Sequence, residues 1–457
     1  MIAAAPSPTF RDPAGSLSLE DHRAVRSIHP AARDAALEFI RSPFYLQAVE
    51  RGDMVASVVE ESPVALRLIH PRVPIPTYPW EWTQSQWLAA AELTITLCQK
   101  ALADGWILKD ATPLNILFIG TRPVLVDVLS FERRDTGSSI WLAYGQYIRT
   151  FLLPLLMHRL MGWPLALTLF KRDGYEPQDL YQALSWPKRL SRAALWPITL
   201  PAWLDKRTGA PKSAPIKHQQ DAELTAHILH RTLTNLLKQT RRAVTGQSAS
   251  NWSDYQTTLS HYTPQQGEQK HRWVQQVLED FHPDTVLDIG ANTGEYSTLA
   301  AASGAHVVAL ERDAAAADRL FVTARARNLN IQIVNADLAR PTPAAGWETH
   351  ESTGLLPRLE AQSDLVMMLA VVHHLILMEQ IPIPAIIALC HRLTRRHLIV
   401  EWVPATDPMY QSLMRGRDNL YGALTDADLL TACTNYFHPI RQETLGNGRI
   451  LFLFERL

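Results

Sequence analysis

The sequence predicts an α/β protein with two folded halves, the C-terminal one built on a parallel sheet. Three stretches carry this prediction. Residues Thr285 to Tyr296 (TVLDIGANTGEY) join an apolar run of strand length to a glycine-bearing turn, and a helical run from Tyr296 to Ser303 follows. Val307 to Leu310 forms a second apolar run, closed by Glu311. Asp364 to Val372 reads as a continuous apolar strand, the pattern of a central parallel strand covered on both faces.

Length and composition fit this architecture. A chain of 457 residues has room for two or three domains, and 47% hydrophobic with 19% charged residues excludes a disordered or fibrous protein. A formal net charge of -1 argues against a protein built around nucleic acid. Cys98, Cys390 and Cys433 are too scattered for a zinc pattern and too few for a disulfide framework, so a reducing cytoplasm and no metal are expected. The N-terminus lacks the basic and apolar regions of a signal peptide. The most apolar stretch, Tyr147 to Phe170, is interrupted by Arg149, His158, Arg159 and Pro164, which favours a buried helix pair over a membrane span.

In chain order, residues 1 to 20 are rich in Pro, Ala and Ser and predict a loose terminus. A domain is expected over 21–204. It opens with a short helix from Ala31 to Ile40, and Leu46 to Ile69 reads as two or three short strands with turns at Arg51 to Asp53 and Glu61 to Pro63. Trp87 to Ala103 predicts an amphipathic helix closed by Asp104 and Gly105. Residues 205–249 are expected to be linker and a connecting helix: Asp205 to Gln220 has linker chemistry, and Leu224, Ile228, Leu229, Leu236 and Leu237 stripe a helix over Ala222 to Ala243. Bases outnumber acids between Lys188 and Arg242, a patch that reads first as a solvated face and otherwise as a contact for nucleic acid or an anionic membrane.

Within the first domain, Asp110 is followed five residues later by Asn115, then by a short apolar strand and a second acid, Asp127, that closes the next strand. This order resembles the catalytic loop and metal-binding segment of kinase-like phosphotransferases. The resemblance implies an α+β kinase-like domain in which Asp110 orients a hydroxyl nucleophile while Asn115 and Asp127 hold magnesium with ATP. The sequence departs from the pattern: Lys109 precedes Asp110, Val128 and Leu129 follow Asp127, and no lysine precedes Lys100. Only arginines such as Arg51 or Arg67 are available to replace the strand lysine of that family.

The turn after Ile289 is the centre of the second domain, residues 250–457. A dinucleotide fingerprint starting at Gly290 needs glycines two and five residues later, where Asn292 and Glu295 stand. Glu295 would also repel a pyrophosphate at the helix N-terminus. The turn therefore suits a ligand without phosphates. Glu311 stands where an acidic side chain can hydrogen-bond both hydroxyls of a ribose. An adenosine that carries a cationic sulfonium in place of phosphates, S-adenosylmethionine, meets these demands.

These blocks resemble motif I and its successors in the class I S-adenosylmethionine-dependent methyltransferases, over roughly residues 250 to 457. The resemblance implies a Rossmann-like seven-stranded sheet. It further implies that Gly290 and Gly294 admit the cofactor, with Ala291, Asn292, Tyr296, Arg312, Leu338 and Ala370 around it, and that Asp288 lies near its methionyl end. Glu311 would hold the ribose, and Asp337 the adenine amino group. Asn292 replaces the commoner middle glycine, a permitted change because Asn tolerates left-handed backbone angles.

Trp252, Tyr255, His261 and Tyr262 precede a helix from Gln269 to Phe281, where the resembling family carries a lid. Ile331 to Val334 predicts the third strand, and the stretch through Trp347 an insertion at the substrate mouth. His373 and His374 follow the fourth strand, beyond the carboxyl ends where open α/β sheets bind ligands. On a strand only one of the two would face the site. A histidine is a suitable base for a hydroxyl acceptor, and Glu401, on the strand Leu398 to Trp402, would share that rim. Thr444 to Phe454 reads as a terminal antiparallel hairpin turning at Gly446 to Gly448. The expected acceptor is a small molecule, glycan or lipid, with the first domain serving substrate binding or regulation. The whole chain also resembles bacterial chains of which one branch is linked to nodulation-signal modification.

Overall fold

The structure is a computed structural model that describes residues 12–20, 22–62, 65–208, 221–244, 262–414 and 424–457. The chain divides into two compact units, Met1–Gly246 with Ala345–Ser352 and Gln247–Ala344 with Thr353–Leu457.

The first unit opens on a four-stranded antiparallel sheet of order β1-β2-β4-β3, from β1 (Gly15–Leu19), β2 (Arg23–Ile28), β3 (Val58–Glu61) and β4 (Leu66–Pro71). β1 lies where the sequence reads as a loose terminus, because each of its residues pairs with one in β2, from Gly15 with Ile28 to Leu19 with Ala24. The expected strand at Leu46 is instead the end of a helix, Pro43–Glu50. Ser42 caps it by accepting from the Tyr45 amide at 3.2 Å, and Phe44, Tyr45 and Ala48 are buried along one side.

The helix Gln84–Ala103 starts on a capping box in which Thr83 and Gln86 exchange bonds of 3.0 and 3.3 Å. It is buried on most sides rather than amphipathic, with Trp87, Ala90, Ala91, Ile95, Leu97 and Cys98 all inside. After it come β5 (Trp106–Leu108), β6 (Ile116–Ile119), β7 (Arg122–Leu125) and β8 (Phe131–Arg133), paired as β5 with β8 and β6 with β7. The apolar stretch that follows yields one helix, Leu153–Met161, entered through a π-turn and closed by Gly162 at φ +72°. Its expected partner is a 3-10 turn, Leu165–Phe170, behind Pro164. Ala222–Ala243 is not a connector but part of the first unit. Leu229, Leu233 and Leu236 are buried, and the Tyr147 and Thr240 hydroxyls lie 3.1 Å apart. The expected linker from Asp205 is helical to Thr208; the rest of it lies outside the described residues.

The second unit is built on a seven-stranded sheet of order β11-β10-β9-β12-β13-β15-β14. Its strands are β9 (Thr285–Ile289), β10 (His306–Glu311), β11 (Ile331–Asn335), β12 (Ser363–Met368), β13 (Thr394–Trp402), β14 (Phe437–Thr444) and β15 (Ile450–Arg456). The first five are parallel, and β15 runs antiparallel to both its neighbours. The expected terminal hairpin is therefore present, with longer strands. Val286, Leu287, Val366, Met367, Ile399 and Val400 fill the middle of the sheet.

β12 ends at Met368, earlier than its apolar run implies, because Ala370 turns the backbone to φ +57°. His373 and His374 therefore stand on a helix, Val372–Leu377, and the strand rule that would send them to opposite faces does not apply.

Candidate functional site

A cavity of about 580 Å³ opens beyond the carboxyl ends of β9, β10, β11 and β12, a volume in the range of small-molecule sites. The glycine turn forms one wall. Gly290 has φ +74°, and a Cβ there would meet Val371 at 2.6 Å, so only glycine fits. Asn292 is left-handed at φ +51°, as its side chain permits, and its amide donates to Glu311 Oε2 at 2.7 Å. Asn292 Oδ1 is buried at this wall without a hydrogen-bond donor. Gly294 does not line the cavity. It starts the helix Glu295–Ala302 at φ +85°, and a Cβ there would meet Leu320 at 2.1 Å, so its work is packing.

Two carboxylates stand behind this wall. Asp288 is 3% exposed and accepts from Ser297 Oγ at 2.6 Å. Burial pushes its carboxyl up to about 6, with the Ser297 bond and the Lys270 charge opposing. Glu311 Oε1 accepts from the Asp313 amide at 2.6 Å while Oε2 takes the Asn292 amide. Burial raises its carboxyl and those amide bonds oppose it. Each oxygen keeps a lone pair for a further donor.

The remaining expected cofactor residues Ala291, Tyr296, Arg312, Asp337, Leu338 and Ala370 also line the cavity. Asp337 accepts from the Ala339 amide at 2.9 Å and from Arg340 at 3.1 Å. In the expected mouth insertion through Trp347, no residue after Leu338 lines the cavity.

His373 and His374 both reach the lining, with ring centroids 4.2 Å apart. Burial, followed by the charges of Arg312 and Arg449, pushes His374 down to about 4. Glu401 is fully buried and not a lining residue. It binds Lys270 Nζ at 2.7 Å and Arg449 Nη1 at 3.2 Å, and it accepts from the Tyr262 hydroxyl. The two cations hold its carboxyl below the usual range against the effect of burial.

Sequence reasoning passes over Lys270, Arg449 and Asp407. Arg449 Nε donates to Asp407 at 2.8 Å and its Nη1 to the Tyr262 hydroxyl at 2.7 Å. Lys270 Nζ lies 4.8 Å from the Tyr296 ring centroid. A lysine on the apolar inner face of the helix Pro264–Phe281, beside buried Trp273, Val274 and Val277, is the signal that marks it. Trp252, Tyr255 and His261 lie outside the described residues; Tyr262 lines the cavity.

In the first unit Asp110, Asn115 and Asp127 do come together. Asn115 Nδ2 donates to Asp110 Oδ2 at 3.1 Å and to Ser130 Oγ at 2.9 Å, and Ser130 donates to Asp127 at 2.5 Å. Gln146 also donates to Asp110. The arginine next to Asp127 is Arg26, at 3.0 Å on β2, rather than Arg51 or Arg67; Arg51 pairs with Asp53 and Arg67 faces outward. Among the described residues no group of three His, Cys, Asp or Glu side chains is placed to hold a metal ion. No helix among them is long and apolar enough to cross a membrane.

No family model matches the chain. A nodulation protein, NoeA of Rhizobium meliloti (strain 1021), is 27% identical over 480 aligned positions, covering all of this chain and 98% of that protein. Among solved structures, the N-methyltransferase NodS of Bradyrhizobium japonicum WM9 aligns at 14% identity and a TM-score of 0.32, covering 42% of this chain and 97% of NodS. The magnesium protoporphyrin IX methyltransferase of Synechocystis PCC 6803, with bound S-adenosylhomocysteine, aligns at 18% identity and a TM-score of 0.31, over 49% of this chain and 95% of that one. The chain is thus similar along its whole length to a rhizobial nodulation protein.

Proposed function

We propose that the second unit binds S-adenosylmethionine and transfers its methyl group to a hydroxyl of a small-molecule, glycan or lipid acceptor. The observation that carries this reading is the pair of carboxylates, Asp288 buried and Glu311 half-buried, at the ends of adjacent parallel strands on either side of the Gly290 turn. Bound there, the cofactor supplies an electrophilic methyl group on a sulfonium. The buried Asn292 oxygen fits such a ligand because it needs a donor, and Gly290 fits because the backbone must be approached closely. The lining has carboxylates and no phosphate-binding glycine run, so it favours a cationic nucleoside over a dinucleotide.

Glu311 would accept the two ribose hydroxyls, and the Asp288 carboxylate would face the positive methionyl end. His373 and His374 stand on the far lining, where either can take the acceptor proton during in-line displacement. His374, pushed down to about 4, is neutral at pH 7, and its low basicity limits the driving force for taking a proton. Glu401 is better read as a positioning residue. Fully buried and neutralised by Lys270 and Arg449, it fixes the two cations and Tyr262 at the acceptor side. Comparing the metabolites of a deletion strain with those of its parent tests the reading: a product shifted by one methyl group should vanish, and unchanged profiles count against it.

A second reading concerns the first unit and is favoured by the contact of Asp110, Asn115, Ser130 and Asp127. The unit would act as a kinase-like phosphotransferase or an ATP-binding scaffold that serves substrate binding or regulation. Arg26 already balances Asp127, which weighs toward a scaffold. Magnesium-dependent ATP binding that disappears in Asp127→Asn would support the reading, and absence of ATP binding would dismiss it.

A further inference from the structure

The outer side of one helical run in the first unit is apolar where solvent would be expected. The run enters through the π-turn Leu195–Thr199 and continues as the helix Leu200–Thr208. Its inner side holds Ala194, Pro197, Ile198 and Ala202, all buried. Its outer side shows Leu195, Trp196, Trp203 and Leu204, with Trp196 63% exposed. The apolar residues thus occupy both sides of the run up to Leu204, after which Asp205 begins its polar end.

The neighbouring turn adds to the same surface. Trp186 is 68% exposed and Leu190 is 60% exposed. Thr199 Oγ1 donates to the Arg189 carbonyl at 2.6 Å and so ties that turn to the run. Single exposed apolar residues are ordinary, but six large ones on two linked segments are not. Lys188, Arg189 and Arg192 lie between Trp186 and Trp196, and no Asp or Glu occurs from Leu180 to Leu204. Three of the bases for which the sequence offers an anionic membrane as one reading thus share a segment with exposed tryptophans.

We propose that this face docks the protein on an anionic phospholipid bilayer, lying in the interface without crossing it. Indole rings favour the headgroup level, where the apolar ring is buried and the N–H stays hydrated. Each lysine or arginine near an anionic surface adds attraction, and the three bases of this segment outnumber its one acid, Asp205. A protein interface would be expected to mix both charge signs evenly at its rim, whereas here Lys188, Arg189 and Arg192 stand against one acid, Asp205.

Flotation of the full chain with vesicles tests the proposal. The protein should float with phosphatidylcholine vesicles that contain phosphatidylglycerol, only weakly with pure phosphatidylcholine, and less as salt rises. Trp186→Ser with Trp196→Ser should lower the bound fraction at least ~10-fold, and Arg192→Glu alone several-fold, with thermal unfolding unchanged in each. Single Trp186→Ser and Trp196→Ser variants serve if the double variant fails to fold. Absence of flotation, or flotation undiminished in the variants, would overturn the proposal. So would a concentration-dependent dimer that the variants abolish without any vesicle binding, since the face would then pair with a second copy.

Discussion

Lys270 Nζ lies 2.7 Å from Glu401 Oε2, with the lysine 5% exposed and the glutamate fully buried. Arg449, Asp407 and Tyr262 complete the cluster, so the two buried cations are matched by two carboxylates. Removing one member leaves a net buried charge, which typically costs 3–5 kcal/mol. Glu401→Gln should therefore lower unfolding free energy by about that much in urea titrations. A loss below about 1 kcal/mol would show that the cluster is solvated and not a fixed wall of the cavity.

The Asp288 carboxyl, pushed up to about 6 by burial, gives cofactor binding a pH dependence of defined sign. Above that value the free protein already presents a carboxylate, and affinity is flat. Below it, a proton must leave before the cationic ligand gains its counter-charge. S-adenosylmethionine affinity should then fall by up to ~10-fold per pH unit, and Asp288→Asn should flatten the profile. Titrations at pH 5 and pH 8 read this directly.

His374 acts on stability with the opposite sign. Its folded value of about 4 lies below that of the unfolded chain, so the unfolded state binds the proton first as pH falls. Its contribution is complete above about 6.5 and is lost toward 4, amounting to about 2 kcal/mol at pH 5. Asp288 offsets part of this fall, because its raised carboxyl costs stability most above about 6 and the cost is relieved in acid. His374→Asn should gain on the parent protein between pH 8 and pH 5; parallel profiles would mean that His374 is not buried as neutral imidazole.

The sheet and the lining of the cavity were legible because their signals are local. Asp288 to Tyr296, Glu311 and Asp337 each end a strand or begin a turn, where residue type and backbone angle are tied, and Asn292 at φ +51° is the clearest case. The cluster around Glu401 was not legible. Its partners Lys270 and Arg449 lie 131 and 48 residues away and meet it only once β13 pairs with β15 and the helix Pro264–Phe281 packs on the sheet. The histidine geometry was misread because Ala370 ends the strand with an angle that apolar patterning cannot foretell. In the first unit, the Leu46 segment looked strand-like although the Ser42 and Pro43 pair signalled a helix start.

Gly290 separates backbone strain from chemistry. Alanine there meets both an unfavourable φ of +74° and Val371 at 2.6 Å. Gly290→Ala should cost about 1–3 kcal/mol of stability and abolish cofactor binding. Denaturant unfolding and ligand titration on the same sample check the two effects. Binding at the parental affinity would remove the turn from the site.

Calorimetric titration of the full chain with S-adenosylhomocysteine decides whether the cavity beyond β9 and β10 is a cofactor site. One molecule should bind per chain, and Glu311→Ala should weaken binding by about 10- to 100-fold through loss of charged hydrogen bonds of roughly 1.5–3 kcal/mol. Neither heat nor a thermal shift at millimolar ligand, with the protein folded, would contradict the account.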